Sequence, residues 1–116
     1  LAVAVGDRVS IMENAFYSVI SPEGCASIVW RDSSKAETAA IAMKIMANDL
    51  HELGIIEEII LEPDGGAHND HEAAAKLFAE VLEKQLLVLT DQSTKELLQA
   101  RYEKYRRMCQ FFDIIR

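Results

Sequence analysis

The sequence predicts an α/β domain with short strands and mostly helical connections. Three observations carry this reading. "RVSIME" (8–13) alternates apolar and polar residues with the two-residue period of a strand. "IIEEIIL" (55–61) is a bounded run of β-formers, a buried-strand candidate. Between and after them lie stretches of helical spacing opened by capping residues. The order is two strands, a helix, two more helices, one strand and a helical hairpin, which is not the simple alternation of a doubly wound sheet.

Asn14 breaks the first strand. "AFYSVI" (15–20) resumes with aromatic and β-branched residues and predicts a second one. Ser21 then suits an N-cap and Pro22 the first helical turn, where its missing N–H costs nothing. Glu23 favours the positive end of the helix dipole. Gly24 costs about 1 kcal/mol against Ala in a helix interior, so its place in the first turn implies a close approach to the backbone. Ser34 and Glu37 have capping-box spacing and open a small-residue helix bearing Ala36, Ala39, Ala40 and Met43. "NDLHELG" is a short helix that Gly54 terminates.

"EPDGGAHND" (62–70) is a loop, and Asp70 caps the next helix. That helix aligns Ala74, Leu77, Phe78, Val81, Leu82 and Leu86 on one face. Ser93 and Glu96 form a second capping box. The last helix carries Leu97, Leu98, Arg101, Tyr102 and Tyr105 at helical spacing. The short linker "TDQS" predicts an antiparallel pair.

The chain has 116 residues, half of them hydrophobic, which suits one domain with a core of its own. No apolar run approaches the roughly 18 residues of a membrane span, so no membrane partner is expected. The net charge of −7 argues against nucleic acid, whose phosphates need Lys and Arg. The charge is uneven: residues 47–92 carry −9 and residues 93–116 carry +3, which predicts electrostatic contact within the chain or with a partner. Cys25 and Cys109 read as reduced thiols of a cytosolic protein. "LAVAVGDRV" begins inside an apolar run without a signal peptide's features, and is expected to continue a longer polypeptide.

Several clusters have two uses. Ser21, Pro22, Glu23 and Gly24 are either a structural cap or the wall of a pocket whose free N–H groups meet polarised oxygens. Cys25, in the same first turns, has no His nearby in sequence and reads as a packed thiol. Gly65 and Gly66 fit a turn better than a phosphate cradle, because no Lys-Ser or Lys-Thr follows. His68, Asp70, His71 and Glu72 match no strong zinc signature and read as a polar loop or interface, with no metal expected. Arg101, Lys104, Arg106 and Arg107 complement the last helix's dipole or meet the acidic segment.

Taken together, "AVAVGDRVSIMENAFYSVISPEGCASIVWRD", "DLHELGIIEEII" and "EPDGGAHND" resemble the carboxyltransferase alpha subunit of the multi-subunit acetyl-coenzyme A carboxylase of bacteria and plastids. The resemblance runs from residue 1 to about residue 75 and fades into a helical tail. It implies a crotonase-like superhelix of strand-strand-helix repeats, with residues 1–69 as its C-terminal part and residues 70–116 as a tail packing on it or on a partner. It implies transfer of a carboxyl group from carboxybiotin to acetyl-coenzyme A, giving malonyl-coenzyme A for fatty-acid biosynthesis. The implied partners are a beta subunit in an α2β2 assembly and a biotin carboxyl carrier protein. The implied place is the bacterial cytoplasm or the plastid stroma.

On this match Ser21, Pro22, Glu23 and Gly24 wall the carboxybiotin pocket. The family's glycine-rich oxyanion hole is expected immediately before the residues matching Leu1-Ala2-Val3, so no catalytic residue is expected in this chain, and the chain alone is expected to be inactive. Gly65, Gly66, His68 and Asp70 belong to an interface loop, in which Asn69 stands where an Arg is expected. Two rival readings are a non-catalytic helical interaction module and another crotonase-type acyl-coenzyme A enzyme. The latter needs an acidic pair in the pocket, and only Glu23 is at hand.

Overall fold

In the computed structural model, which describes residues 4–108, the chain is α/β with a small parallel sheet and five α-helices among those residues. β1 (Ser10–Met12) pairs with β2 (Glu58–Ile60) in the register Ser10–Glu58, Ile11–Ile59, Met12–Ile60. Backbone bonds from Glu57 N–H to the Val9 carbonyl and from Glu13 N–H to the Ile60 carbonyl, both 2.9 Å, extend the ladder at each end. Parallel strands need a long crossover. Here it is helical: α1 (Pro22–Trp30), α2 (Ala36–Met43) and α3 (Ala47–Glu52).

The expected strand at 15–20 reduces to one antiparallel bridge, Phe16 with Met46. Locally, the Ser18 hydroxyl turns onto the Ile20 carbonyl at 2.8 Å and bends the chain before α1. Val19 is left fully exposed. The capping box at Ser34 and Glu37 also does not form. Asp32 accepts from both the N–H and the hydroxyl of Ser34, at 3.0 and 2.7 Å, and caps a 3-10 turn at Ser33–Lys35 instead. Arg31, in the left-handed region at φ 56°, separates that turn from α1.

α3 ends as expected at Gly54. Gly54 N–H reaches the His51 carbonyl and Ile55 N–H the Leu50 carbonyl, the paired bonds of a Schellman motif, with Gly54 at φ +68°. The fully or nearly fully buried apolar residues are small or lie around this crossover: Ala26, Ala39, Ile45, Ala47, Leu50, Ile56, Ile60 and Ala74.

α4 (His71–Thr90) lies against β2. Ala74 is buried and Leu77 and Val81 are half-buried, but Phe78, Leu82 and Leu86 of the expected inner face stay exposed. Polar bonds set the helix's place: Gln85 donates to the Ser10 hydroxyl at 2.7 Å, and Lys84 meets Glu58 at 2.6 Å.

α5 (Thr94–Met108) starts in the expected capping box, Ser93 N–H to Glu96 at 2.8 Å and Glu96 N–H to the Ser93 hydroxyl at 3.3 Å. The expected hairpin is corrected. Among the described residues α4 and α5 do not pack along their lengths. The reason lies in the inward face of α5, which carries Arg101, Lys104 and Tyr105 beside Leu97. Those polar tips seek acids and carbonyls rather than an apolar helix. Arg101 takes both Asp7 oxygens at 2.8 Å, Lys104 meets Glu57 at 2.7 Å, and Tyr105 O–H donates to the Ala4 carbonyl at 2.6 Å. Expectations that fall on Leu1–Val3, Cys109 and the residues after it lie outside the described residues.

The hydrogen bonds from Arg101 hold the Asp7 carboxyl below its ordinary value of 3.8. Its contribution to stability is therefore full above 3.8 and is lost as pH falls through the lower, folded value. Asp7→Asn should lower the melting midpoint at neutral pH by roughly 4 °C, corresponding to about 1 kcal/mol for a half-exposed bidentate pair. Melts of the two proteins across acid pH check this. The gap should close in strong acid, and a gap that stayed constant would show that the ion pair is not its source.

Candidate functional site

The sequence from Ser21 to Gly24 builds a tight helix entry. Ser21 is extended at φ −70°, ψ 153°, and its hydroxyl accepts from Gly24 N–H at 3.1 Å. Cys25 N–H is already bonded to the Ser21 carbonyl at 2.9 Å. Pro22 has no N–H to offer. Of the first four positions of α1, only Glu23 keeps a backbone N–H without a partner among the described residues. Ser21 and Glu23 are exposed, and Pro22 and Gly24 are half-buried.

The close approach expected at Gly24 is present, and its source is the chain itself. A Cβ at Gly24 would stand 2.9 Å from Ile20 Cγ1 and 3.4 Å from the Ser21 hydroxyl. The glycine thus lets Ile20 fold back over the first turn. Cys25 is half-buried beside it.

The second cluster is the 62–70 loop. Glu62 follows β2 and its carboxylate bridges two backbone segments, accepting from Asn14 N–H at 3.0 Å and Ala67 N–H at 2.9 Å. Those two N–H groups, Ala67's first, hold its carboxyl below the ordinary 4.5. Glu13 in turn accepts from Glu62 N–H at 3.2 Å. Gly65 and Gly66 have φ of +85° and +95°, so the turn needs glycine at both. Asn69 donates its side-chain amide to the Gly65 carbonyl at 2.9 Å, and a Cβ on Gly65 would collide with that amide. Here Asn69 locks the turn, a neutral use of the position where the resemblance leads one to expect Arg.

Asp70 leaves the loop and caps α4, accepting from Ala73 N–H at 2.9 Å. His68 stays exposed over Gly66. Glu13, Asn14, Glu62, Gly65, Gly66 and His68 line a cavity of about 480 Å³. Thus Gly65, Gly66 and His68 share one site, while Asp70 serves the helix beside it. Sequence reading missed Glu62, because its partners Asn14 and Ala67 follow no local capping spacing. Among the described residues no group of three His, Cys, Asp or Glu side chains could hold a metal ion.

The basic run of α5 divides. Arg101 and Lys104 turn inward onto Asp7 and Glu57. Arg106 lies 5.7 Å over the Tyr102 ring, and Arg107 remains exposed. Lys104 of the basic tail thereby meets Glu57 of the acidic segment, the contact that the charge asymmetry predicted.

The strand pair is thus bridged by a helical crossover that begins at the capped turn entering α1, and the double-glycine loop follows β2. Residues 1–109 match the model of a family described as acetyl co-enzyme A carboxylase carboxyltransferase-like, and the chain belongs to that family. The match extends through the helical tail, well beyond residue 75. Among similar proteins is the acetyl-coenzyme A carboxylase carboxyl transferase subunit alpha of Geobacter metallireducens, 51% identical over 96% of this chain and 35% of that subunit. The subunit of the same name from Syntrophotalea carbinolica is 56% identical over 93% of this chain and 34% of its own length. That of Coxiella burnetii is 50% identical over 90% and 33%. The chain spans about a third of the length of the relatives it matches.

Two outcomes are expected. Ser21→Ala should cost about 1 kcal/mol, a midpoint drop of roughly 4 °C by calorimetry. In an NMR pH titration, the amide protons of Asn14 and Ala67 should move together with one midpoint below 4.5, the ordinary value for Glu62. Glu62→Gln should abolish both movements. Separate midpoints would show that the two amides do not share this carboxylate.

Proposed function

We propose that this chain forms part of the carboxyltransferase that moves a carboxyl group from carboxybiotin to acetyl-coenzyme A, giving malonyl-coenzyme A for fatty-acid biosynthesis. The observation that carries this reading is the family match over residues 1–109. The names of the relatives support it. We extend it to a crotonase-like fold, with residues 1–69 as the C-terminal part of that domain and residues 70–116 as a helical tail. The parallel pair across a helical crossover fits such a superhelix. The bonds from Gln85, Arg101 and Lys104 back to Ser10, Asp7 and Glu57 fit a tail held on the domain.

Ser21, Pro22, Glu23 and Gly24 form a pocket wall in this reading. Biotin's ring system is uncharged, and the turn offers it one free N–H at Glu23 and a hydroxyl already committed to the cap, with the exposed Glu23 carboxylate as the one charge of these four residues. When bound, carboxybiotin supplies both the carboxyl group and, after release of carbon dioxide, the base. This chain's residues then shape and position, and the stabilising donors for the developing oxyanions come from elsewhere in the assembly. Gly65, Gly66, His68 and Asp70 face a subunit interface. The partners are a beta subunit, in an α2β2 assembly, and a biotin carboxyl carrier protein. The exposed Phe78, Leu82 and Leu86 of α4 favour contact with a further subunit. The bacterial origin of the relatives favours a cytoplasmic setting.

The test replaces the matching third of the Geobacter metallireducens subunit with residues 1–109 of this chain. Combined with a beta subunit and carboxylated carrier, the chimera should form malonyl-coenzyme A within about tenfold of the parent rate, a barrier change below roughly 1.4 kcal/mol. Gly24→Val in the chimera should then lower kcat by about tenfold or more while assembly persists. An assembled chimera without turnover would overturn the reading.

A further inference from the structure

We propose that the cavity between the chain entering β1 and the α4–α5 junction binds a phosphate group, free or carried on a small metabolite. This goes beyond the carboxyltransferase reading and does not rest on it. Neither Ser21–Gly24 nor the double-glycine loop lines this cavity. Its volume is about 170 Å³, and Arg8, Arg101, Lys104 and Arg107 line it together with Asp7 and Glu57. Four cations against two carboxylates leave it two positive charges in excess, in a chain of net charge −7. A concave site of one sign concentrates small ions of the other.

The excess sits on side chains whose neighbouring acids are already engaged. Asp7 takes both donors of Arg101 at 2.8 Å, and Glu57 takes Lys104 at 2.7 Å and Val9 N–H at 2.6 Å. Glu58, which shares a neighbouring cavity with Arg8, holds Lys84 at 2.6 Å. Arg8 thus has no hydrogen bond or ion pair from its side chain among the described residues. Arg107 reaches only its own helix, 3.5 Å to the Glu103 carbonyl and 4.0 Å to the Glu103 carboxylate. The half-buried Gln92 adds a side-chain amide with no partner among the described residues. Guanidinium forks match phosphate oxygens two at a time, so Arg8, Arg107 and Gln92 supply the donors that such a group needs. Pockets for drug-sized ligands start at roughly 300 Å³, so 170 Å³ suits a single phosphate group. Arg8, Lys104 and Arg107 also line a second cavity of about 440 Å³, which has room for the rest of a phosphate ester. Glu52 lines only that wider cavity. The carbonyl end of α4 lies beside the smaller one and offsets part of the positive excess, so the expected affinity is modest.

The test titrates the full chain with inorganic phosphate and, separately, with coenzyme A, at fixed ionic strength and with chloride as the reference. NMR follows the side-chain N–H signals of Arg8, Arg107 and Gln92. All three should shift together and saturate, with a Kd on the order of 1 mM. Saturation by either anion supports the proposal, and the tighter of the two names the source of the phosphate. Arg8→Gln and Arg107→Gln should each weaken binding about tenfold and leave the melting midpoint unchanged, since neither side chain is held by another element. Arg106→Gln removes the same charge one residue away, outside the cavity, and should leave the Kd within about twofold. A fall in a variant's midpoint leaves the titration of the unaltered chain, which needs no variant, to decide. Shifts that never saturate, or that chloride reproduces, overturn the proposal. Equal weakening by Arg106→Gln and Arg107→Gln assigns the effect to diffuse attraction and also overturns it.

Discussion

Glu57 is where the two ends of this chain meet. Its backbone N–H bonds the Val9 carbonyl at 2.9 Å, and its carboxylate accepts the Val9 N–H at 2.6 Å, so Val9 is held from both sides. The same carboxylate takes Lys104 of α5 at 2.7 Å. One side chain thereby fixes where β1 enters the parallel pair and where the last helix docks. Slipping a strand by one residue would turn its side chains to the opposite face. Lys104 and Glu57 are only 11% and 20% exposed, so removing either side chain would leave the other without its counter-ion in a largely covered place.

The elements legible in the sequence were those whose determinants lie within a few residues. Ser21, Gly54, Asp70 and the Ser93–Glu96 box each act over one helical turn, and each does what its spacing predicted. The exception among the caps is instructive. Ser34 had the right spacing to Glu37, but Asp32 two residues earlier offers a charged acceptor, and charge-assisted bonds are the stronger. What stayed hidden was non-local. Asp7 with Arg101 and Glu62 with Asn14 are separated by 94 and 48 residues. The charge asymmetry between residues 47–92 and 93–116 pointed to contacts such as Lys104 with Glu57, without naming the partners, and to neither of these two.

The strand expected at 15–20 failed for a related reason. Propensity was right, since nothing in "AFYSVI" resists extension. A strand, however, is a pairing, and among the described residues only Ile45 and Met46 pair with it. The helical hairpin failed oppositely. Its short connection is present, but α5 directs polar side chains inward, and those satisfy Asp7, Glu57 and Ala4 rather than α4. Connection length constrained the neighbours, while side-chain chemistry chose the contact.

At the α1 entry, capping takes up atoms that the proposed pocket wall would otherwise offer. Anion-holding helix starts keep several N–H groups free. Here proline removes one, the Ser21 hydroxyl takes a second and the Ser21 carbonyl a third, leaving Glu23's. A turn with one free donor cannot by itself stabilise two developing oxyanions. Its shape is set by Gly24, where an added Cβ would stand 2.9 Å from Ile20 Cγ1, so that only glycine leaves room for Ile20 over the first turn. On the carboxyltransferase reading proposed above, the electrostatic work of carboxyl transfer would fall to groups outside Ser21–Gly24, and this turn would contribute shape.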